Sequence, residues 1–347
     1  MDKLRAAVHG TVLLLIIGWV LTAGKEIFVP AVLGAVVVYV IVGLAQVLGR
    51  LPGIGPKLPL QLRYLFSIAV IGLAFFLLAY LIMANKERAL ALAPHYQQSL
   101  LAAIQQFAAR FGFETEPTWT TLRQELMARI DLQRLFTAVL ASAGSILVTF
   151  VVVMLYATFL LVERRSFDAK LARMSDDPKQ VAHIREIIGT INRRIGSYLA
   201  LKTLLSILLG AVSWAVMRLY GLDFAPLWAV LTAFLNFVPY VGSVLGVLLP
   251  ALMAVVQFQE LGPILTLVLA LTAVQFVIGN FLDPYVMGNS LNLSPFAILI
   301  SLAVWSELWG IPGAFLAVPI TAIMTIVFSE FPGTRQVAVL LSKNGEV

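Results

Sequence analysis

The sequence predicts an all-α polytopic membrane protein of about eight transmembrane segments, two of them broken or re-entrant, with a small amphipathic helical insert. Three observations predict it. Hydrophobic residues make up 60% of the 347-residue chain and charged ones only 12%, against about 25% in an ordinary soluble domain, and the mean hydropathy is +0.94. Apolar runs recur at lengths that match the roughly 20 apolar residues a helix needs to cross a bilayer. Two of these runs, 226–258 and 294–328, are interrupted at their centres by glycine, proline and polar residues. Lipid cannot satisfy the backbone groups that such breaks free, so they survive only where protein or a water-filled cavity surrounds them.

The first three spans are expected at 6–24, 27–49 and 64–84, grouped as an N-terminal unit, 1–84. The opening Met1-Asp-Lys-Leu-Arg and its short apolar run resemble a signal peptide, but a second span follows almost at once, which favours a retained helix. The loop 50–63 holds Arg50, Lys57 and Arg63 without an acid, and Lys3 and Arg5 precede the first span. Both regions are therefore expected in the cytoplasm. The net charge of +6 and pI near 9.6 arise from such loop residues rather than from one basic face, which argues against a nucleic-acid partner.

Between 85 and 137 the chemistry changes, with Lys86, Arg88, Arg110, Arg123, Arg129 and Arg134 nearly balanced by Glu87, Glu114, Glu116, Glu125 and Asp131. Residues 89–111 and 118–136 read as amphipathic helices, with Leu122, Leu126 and Ile130 on one face and Glu116-Pro117 between the two. This insert is expected outside the cytoplasm, packed on the bilayer face or on a neighbouring subunit. A fourth span, 138–162, returns to the cytoplasm and opens a third unit, 138–198. There, 163–194 carries eight basic residues against five acids. Asp177-Pro178 has the form of an N-cap with proline at the first helical position. Val181, Ile184, Ile188, Ile191, Ile195 and Tyr198 then line one face of an interfacial helix, with His183, Arg185, Glu186, Arg193 and Arg194 on the others. Its arginines serve as an orientation signal, with anionic lipid as a second role.

The fourth unit, 199–330, is nearly all membrane, followed by a cytoplasmic tail, 331–347. From Thr203 to Phe328 the only basic residue is Arg218, and the acids are Asp223, Glu260, Asp283 and Glu307. Laying 226–258 over 295–327 pairs Pro226 with Pro295 and Pro250 with Pro319. The centres are Asn236-Phe-Val-Pro239-Tyr240-Val-Gly242 and Glu307-Leu-Trp-Gly310-Ile-Pro312-Gly313. Each segment of about 33 residues would reach roughly 50 Å as a straight helix, beyond a bilayer core of about 30 Å. Each must bend, protrude or fold back. Paired interrupted segments point to a transporter binding site, because half-helix ends and freed carbonyls can coordinate ions or polar groups.

The candidate substrate- and ion-binding residues follow. Glu307, a carboxylate within an apolar segment, is a functional hypothesis by default, with a wet mouth or a helix cap as the blander reading. Asp283, followed by Pro284, ends a span and is the second acid; an ordinary loop acid is its alternative. Asn236 and Tyr240 bring an amide and a hydroxyl to the first break beside Pro239. Gly242, Gly310 and Gly313 supply backbone freedom or close approach. No catalytic residue, cofactor or metal site is expected. The chain has no cysteine, no Walker P-loop, no GxSxG and no HExxH, and His9, His95 and His183 are dispersed. An intramembrane hydrolase would have only Asp283 and Glu307 to use.

Ile195-Gly-Ser-Tyr198 leading into Leu204-Leu-Ser-Ile, the Asn236–Gly242 motif, Asp283-Pro284-Tyr-Val-Met-Gly288, Leu293-Ser-Pro295 and Gly310-Ile-Pro-Gly313-Ala-Phe-Leu-Ala-Val-Pro319 together resemble the AI-2E (autoinducer-2 exporter) family of permeases. The order of spans is similar along nearly the whole chain. The resemblance implies a secondary transporter of about eight spans, with members proposed to export autoinducer-2 and others linked to sodium/proton antiport. It implies a carboxylate before the proline matched by Pro284, a position Asp283 fills, and homo-oligomers, with a pentamer as the expected form. The reading is a permease in the inner (plasma) membrane of a bacterial or archaeal cell, both termini cytoplasmic. It would export a small polar solute, autoinducer-2-like by resemblance, coupled to protons or sodium. The rivals are a sodium/proton antiporter, a non-transporting scaffold that uses the insert, and a channel.

Overall fold

The computed structural model describes residues 2–52, 55–110, 132–258, 260–287 and 291–346. Twelve α-helices are described. They are α1 (Asp2–Ala23), α2 (Lys25–Arg50), α3 (Leu60–Ala84), α4 (Lys86–Arg110), α5 (Leu132–Leu171), α6 (Pro178–Leu219), α7 (Ala225–Leu235), α8 (Val241–Phe258), α9 (Leu261–Val277), α10 (Asp283–Met287), α11 (Pro295–Ser329) and α12 (Arg335–Leu341). A 3₁₀ turn covers Gly55–Lys57 and a π-helical turn Ile278–Leu282. The described residues hold no strand, only an isolated bridge between Leu293 and Ser342. Seven helical stretches are long and apolar enough to cross a membrane, and Val8–Ala23 is a shorter apolar helix. The all-α polytopic class is thus the observed one. Most of the expected second insert helix, with Leu122, Leu126, Ile130 and Glu116-Pro117, lies outside the described residues.

The expected amphipathic helix after Asp177 and the span that follows it form one helix, α6, of 42 residues. Asp177 caps its start, its Oδ1 accepting from the Lys179 amide at 2.9 Å, with Pro178 at the first position. The apolar face falls as the heptad-like spacing requires: Val181, Ile195 and Tyr198 are buried, while His183, Arg185, Glu186, Arg193 and Arg194 are exposed. Likewise α5 runs 40 residues without a break, about 60 Å, so its C-terminal turns extend beyond a bilayer core.

The chain divides into two compact units. The first comprises Met1–Ala69, Thr149–Leu201 and Met287–Val347. In it α2 and α1 pack on α11, α12 packs on α11, and the Tyr39 hydroxyl donates to Asn192 Oδ1 at 2.9 Å. Arg63 holds the loop ahead of α3 by donating to the Leu58 and Gly55 carbonyls at 2.9 and 2.8 Å.

The second unit comprises Val70–Val148 and Lys202–Val286. Its core is built from Met217, Ala229, Met253, Ala254, Leu267 and Leu271, with Tyr96 of α4 packed into it. The insert helix α4 therefore lies on α8. Polar bonds fix it there: Arg88 pairs with Asp223, and the Tyr96 hydroxyl donates to Asp223 Oδ2 at 2.9 Å. Burial, then the hydrogen bond to Asp223, push the Tyr96 phenol well above its ordinary pKa, so it stays protonated and donating. The Asp223 amide in turn donates to Gln257 Oε1 at 2.7 Å on α8.

Candidate functional site

Both interrupted segments fold back on themselves. In the first, α7 has only 11 residues, about 16 Å, too short to cross. The chain leaves it through Asn236, turns at Tyr240 with φ 61°, and returns as α8 packed on α7. Gly242 is buried where any Cβ would collide with the Leu235 carbonyl oxygen, which is why that position has no side chain. In the second, Gly310 adopts φ 64°, ψ −141° inside α11, a conformation open essentially to glycine alone. Residues 305 and 313 would stand about 12 Å apart along a straight helix. Here a Cβ on Gly313 would strike the Trp305 carbonyl oxygen, so the halves 295–309 and 311–329 meet in a sharp reversal.

The first break and the start of α10 meet at a charged centre inside the second unit. Lys202 of α6 is buried, 6% exposed, and its Nζ lies 2.7 Å from Asp283 Oδ2. The same ammonium reaches Asn236 Oδ1 at a longer 3.4 Å, and Asn236 Nδ2 donates to Ser206 Oγ at 3.0 Å. Asn236 and Ser206 are themselves buried, 6% and 3% exposed. Asp283 Oδ1 is buried without a hydrogen-bond partner among the described residues.

Local sequence explains why these groups converge. Proline at 284 cannot donate to the carbonyl four residues back and its ring would clash there. The turn before it widens into the π-helical Ile278–Leu282, whose closing bond runs from the Asp283 amide to the Ile278 carbonyl. One extra residue per turn re-aims the following side chain, a device that recurs at functional sites. Asn236 is the C-cap of α7, so its amide stands at the helix end that favours positive charge. Ser206 follows Lys202 by one turn of α6 and presents its hydroxyl to the same centre.

Of the expected residues, Asn236 and Asp283 are thus brought together. Pro239 is half-buried and its carbonyl accepts from the Val241 amide at 2.6 Å; Tyr240 is half exposed; Pro284 is exposed. Gly242 and Gly313 are buried crossing points, and Gly310 is the exposed turn residue. Glu307 belongs to the first unit, is exposed, and makes no hydrogen bond or ion pair among the described residues. Its neighbour Trp309 donates from Nε1 to the Leu21 carbonyl at 3.0 Å. Gly288, within one of the motifs, lies outside the described residues, as do Asn289 and Ser290.

The sequence reading missed Lys202 and Ser206. A lysine between Leu201 and Thr203 in an apolar run was the available signal, since an intramembrane charge is costly without a partner. Counting loop charges hid it, because it follows the basic 163–194 stretch by only eight residues. No cluster of three or more His, Cys, Asp or Glu that could hold a metal occurs among the described residues.

The fold is that of a polytopic helical membrane protein in which a buried lysine pairs with a carboxylate beside a folded-back helix. Sequence comparison places it more closely: the chain belongs to the AI-2E family transporters, whose family model matches residues 10–333. It is 30% identical over 326 residues to the AI-2 transport protein TqsA of Escherichia coli K12, covering 91% of this chain and 90% of that protein. A protein of Borreliella burgdorferi titled "Putative transport protein" is 34% identical over 211 residues, 60% of this chain and 57% of that one. "Putative transport protein YhhT" of Escherichia coli K12 is 30% identical over 221 residues, 63% and 62% of the two chains. The protein is accordingly a multi-pass membrane transporter.

Proposed function

We propose that the protein is a secondary permease of the bacterial inner membrane that exports a small polar solute, with the Lys202–Asp283 pair and Asn236 at its working centre. The Lys202–Asp283 ion pair, with a buried lysine and a carboxylate 19% exposed, carries this reading. Two charges held between apolar helices cost several kcal/mol each to desolvate, and packed hydrophobic residues would stabilise a bundle at least as well. A pair that stability does not require is an expected part of an ion or solute pathway. Asn236 and the unpartnered Asp283 Oδ1 offer a polar solute an amide and a carboxylate lone pair.

Coupling would run through the carboxylate. Binding of a proton or sodium ion at Asp283 changes the charge that Lys202 faces, and so changes the relative stability of conformations in which the pair is closed or open. The solute being autoinducer-2-like rests on the family and on the printed name of the TqsA relative. Cytoplasmic termini follow from the basic loops. A homo-oligomer, pentameric by family resemblance, would cover part of the exposed apolar helix surface. Pro239, Tyr240 and Gly242 shape the first break, Pro284 shapes the turn that presents Asp283, and Glu307, Gly310 and Gly313 belong to the second reversal. On this reading the chain transports and does not catalyse.

The test is flux in proteoliposomes with an imposed proton or sodium gradient. The charge-neutral double variant Lys202→Gln with Asp283→Asn keeps hydrogen-bonding groups and removes both charges. It is expected to fold and to lose ion-driven solute flux; wild-type flux from it would end this assignment. A sodium/proton antiporter would instead show ion exchange with no organic solute present.

A further inference from the structure

We propose that the solute this centre takes is a neutral, hydroxyl-bearing amphiphile, with its hydroxyl at Lys202 and Asp283 and its hydrocarbon chain in an apolar groove beside them. This rests on the transport reading above and names the class of solute.

The groove encloses about 350 Å³ between Leu208 and Val212 of α6 and Ala273, Val274, Ile278 and Leu282 of α9 and the π-helical turn. Every described residue that lines it is apolar. Small-molecule sites occupy roughly 300–1,000 Å³ and are lined mostly by such side chains, with a few polar groups that fix orientation. Here the polar groups stand at one end. On α6 the lining residues follow Lys202 by six and ten positions, and on the other wall they precede Asp283 by one to ten. Lys202 and Asp283 are themselves in contact, so both walls lead away from the pair, to about 15 Å along each helix.

The pair also marks one end of the apolar segments. Asp283 stands two residues before the end of the stretch Leu261–Tyr285, and Lys202 immediately precedes the uncharged run 203–217. The groove therefore runs from the charged end toward the middle of both spans. A molecule with its head at the pair and its chain in the groove stands as a lipid stands in one leaflet. Leu208 and Val277 on the walls are 42% and 49% exposed, so the groove is open to the side.

Hydrogen-bond and charge balance specify the head. An ammonium has three donors, and Lys202 meets two acceptors, Asp283 Oδ2 and Asn236 Oδ1. Asp283 Oδ1 is buried and accepts from nothing among the described residues. One hydroxyl answers both, since its oxygen accepts from the ammonium and its O–H donates to the carboxylate. The pair is neutral as a whole, so a charged head would bring a charge that nothing at the centre offsets.

Photolabelling of the full-length protein in phosphatidylcholine liposomes, with octanol carrying a diazirine and mass-spectrometric mapping, tests the inference. Label is expected on 208–212 and 273–282, saturating with probe and displaced by octanediol. Octane lacks the head and glycerol lacks the chain; each should displace the label at least about tenfold less well, for octane the worth of one hydrogen bond. Ala273→Phe fills the groove and should remove the saturable label. Label spread evenly over the exposed apolar faces of α3 and α5, and not displaced by octanediol, would mean bilayer hydrocarbon only and would overturn the proposal. Octane as effective as octanediol would overturn it too. Loss of flux in the Lys202→Gln, Asp283→Asn protein, with no saturable label on wild type, leaves the transport reading standing and removes the amphiphile. Saturable label together with wild-type flux in that variant keeps the amphiphile site and removes its role in transport.

Discussion

At the first interrupted segment the chain turns at Tyr240 with φ 61° and seats Gly242 on the Leu235 carbonyl; at the second it turns at Gly310 with φ 64° and seats Gly313 on the Trp305 carbonyl. The turn residues are 70 apart and the crossing glycines 71, so the two copies share a backbone device at nearly the register of their paired prolines. They use it differently. The first break delivers Asn236 to the Lys202–Asp283 pair, whose lysine is buried, whereas the second leaves Glu307 exposed and ties Trp309 to the Leu21 carbonyl. A folded-back helix thus supplies a way to bury a polar side chain, and whether it becomes a site depends on what neighbouring helices present to it.

The comparison can be broken by substitution. The largest expected effect is at Lys202, because Lys202→Met leaves the part-buried Asp283 without its cation. In sodium-free buffer it should lose about 3–5 kcal/mol, read from the unfolding midpoint in a solubilising detergent. Adding Asp283→Asn to it should recover most of that loss. A single variant as stable as wild type would show that the pair is not closed in the working protein.

Next come the crossing glycines. Gly242→Ala and Gly313→Ala each push a methyl into a backbone carbonyl and should each cost about 1–3 kcal/mol, measured the same way. Comparable losses would confirm that the reversals are built alike. A silent Gly313→Ala would mean that the second segment runs straighter than the first.

Equal or smaller changes are expected at the turns. Gly310→Ala should cost about 1–3 kcal/mol because its backbone lies outside the region that L-residues occupy. Tyr240→Gly should cost less than that or stabilise, since it removes a left-handed non-glycine residue whose side chain is half exposed. The smallest effect is assigned to Glu307→Gln, expected to leave ion-driven flux within about twofold of wild type, because no partner among the described residues holds its carboxylate. Loss of flux there, with retention in the neutral Lys202–Asp283 variant, would invert the ranking of the two segments.

The helical, membrane-spanning character was legible in the sequence because it follows from composition and run length, quantities that neighbours do not alter. The proline cap at Pro178 and the apolar face from Val181 to Tyr198 were legible for a similar reason: both are local and periodic. Both interruptions could be located, since glycine and proline break helices wherever they fall. Their geometry could not, because 33 apolar residues are compatible with a bent crossing or a hairpin, and only the contacts of Gly242 and Gly313 separate the two.

Within the candidate site, the sequence marked Asp283 and Asn236 but gave Glu307 equal standing, as each is a polar group in apolar surroundings. The cost of a buried charge depends on its partner. Lys202 precedes Asp283 by 81 residues, and no local pattern relates them. The sequence by itself determined that this chain must live in a membrane and must interrupt two of its helices there. Tertiary structure alone decided which interruption holds charge, because a buried ammonium becomes tolerable only when folding brings a carboxylate to within 2.7 Å of it.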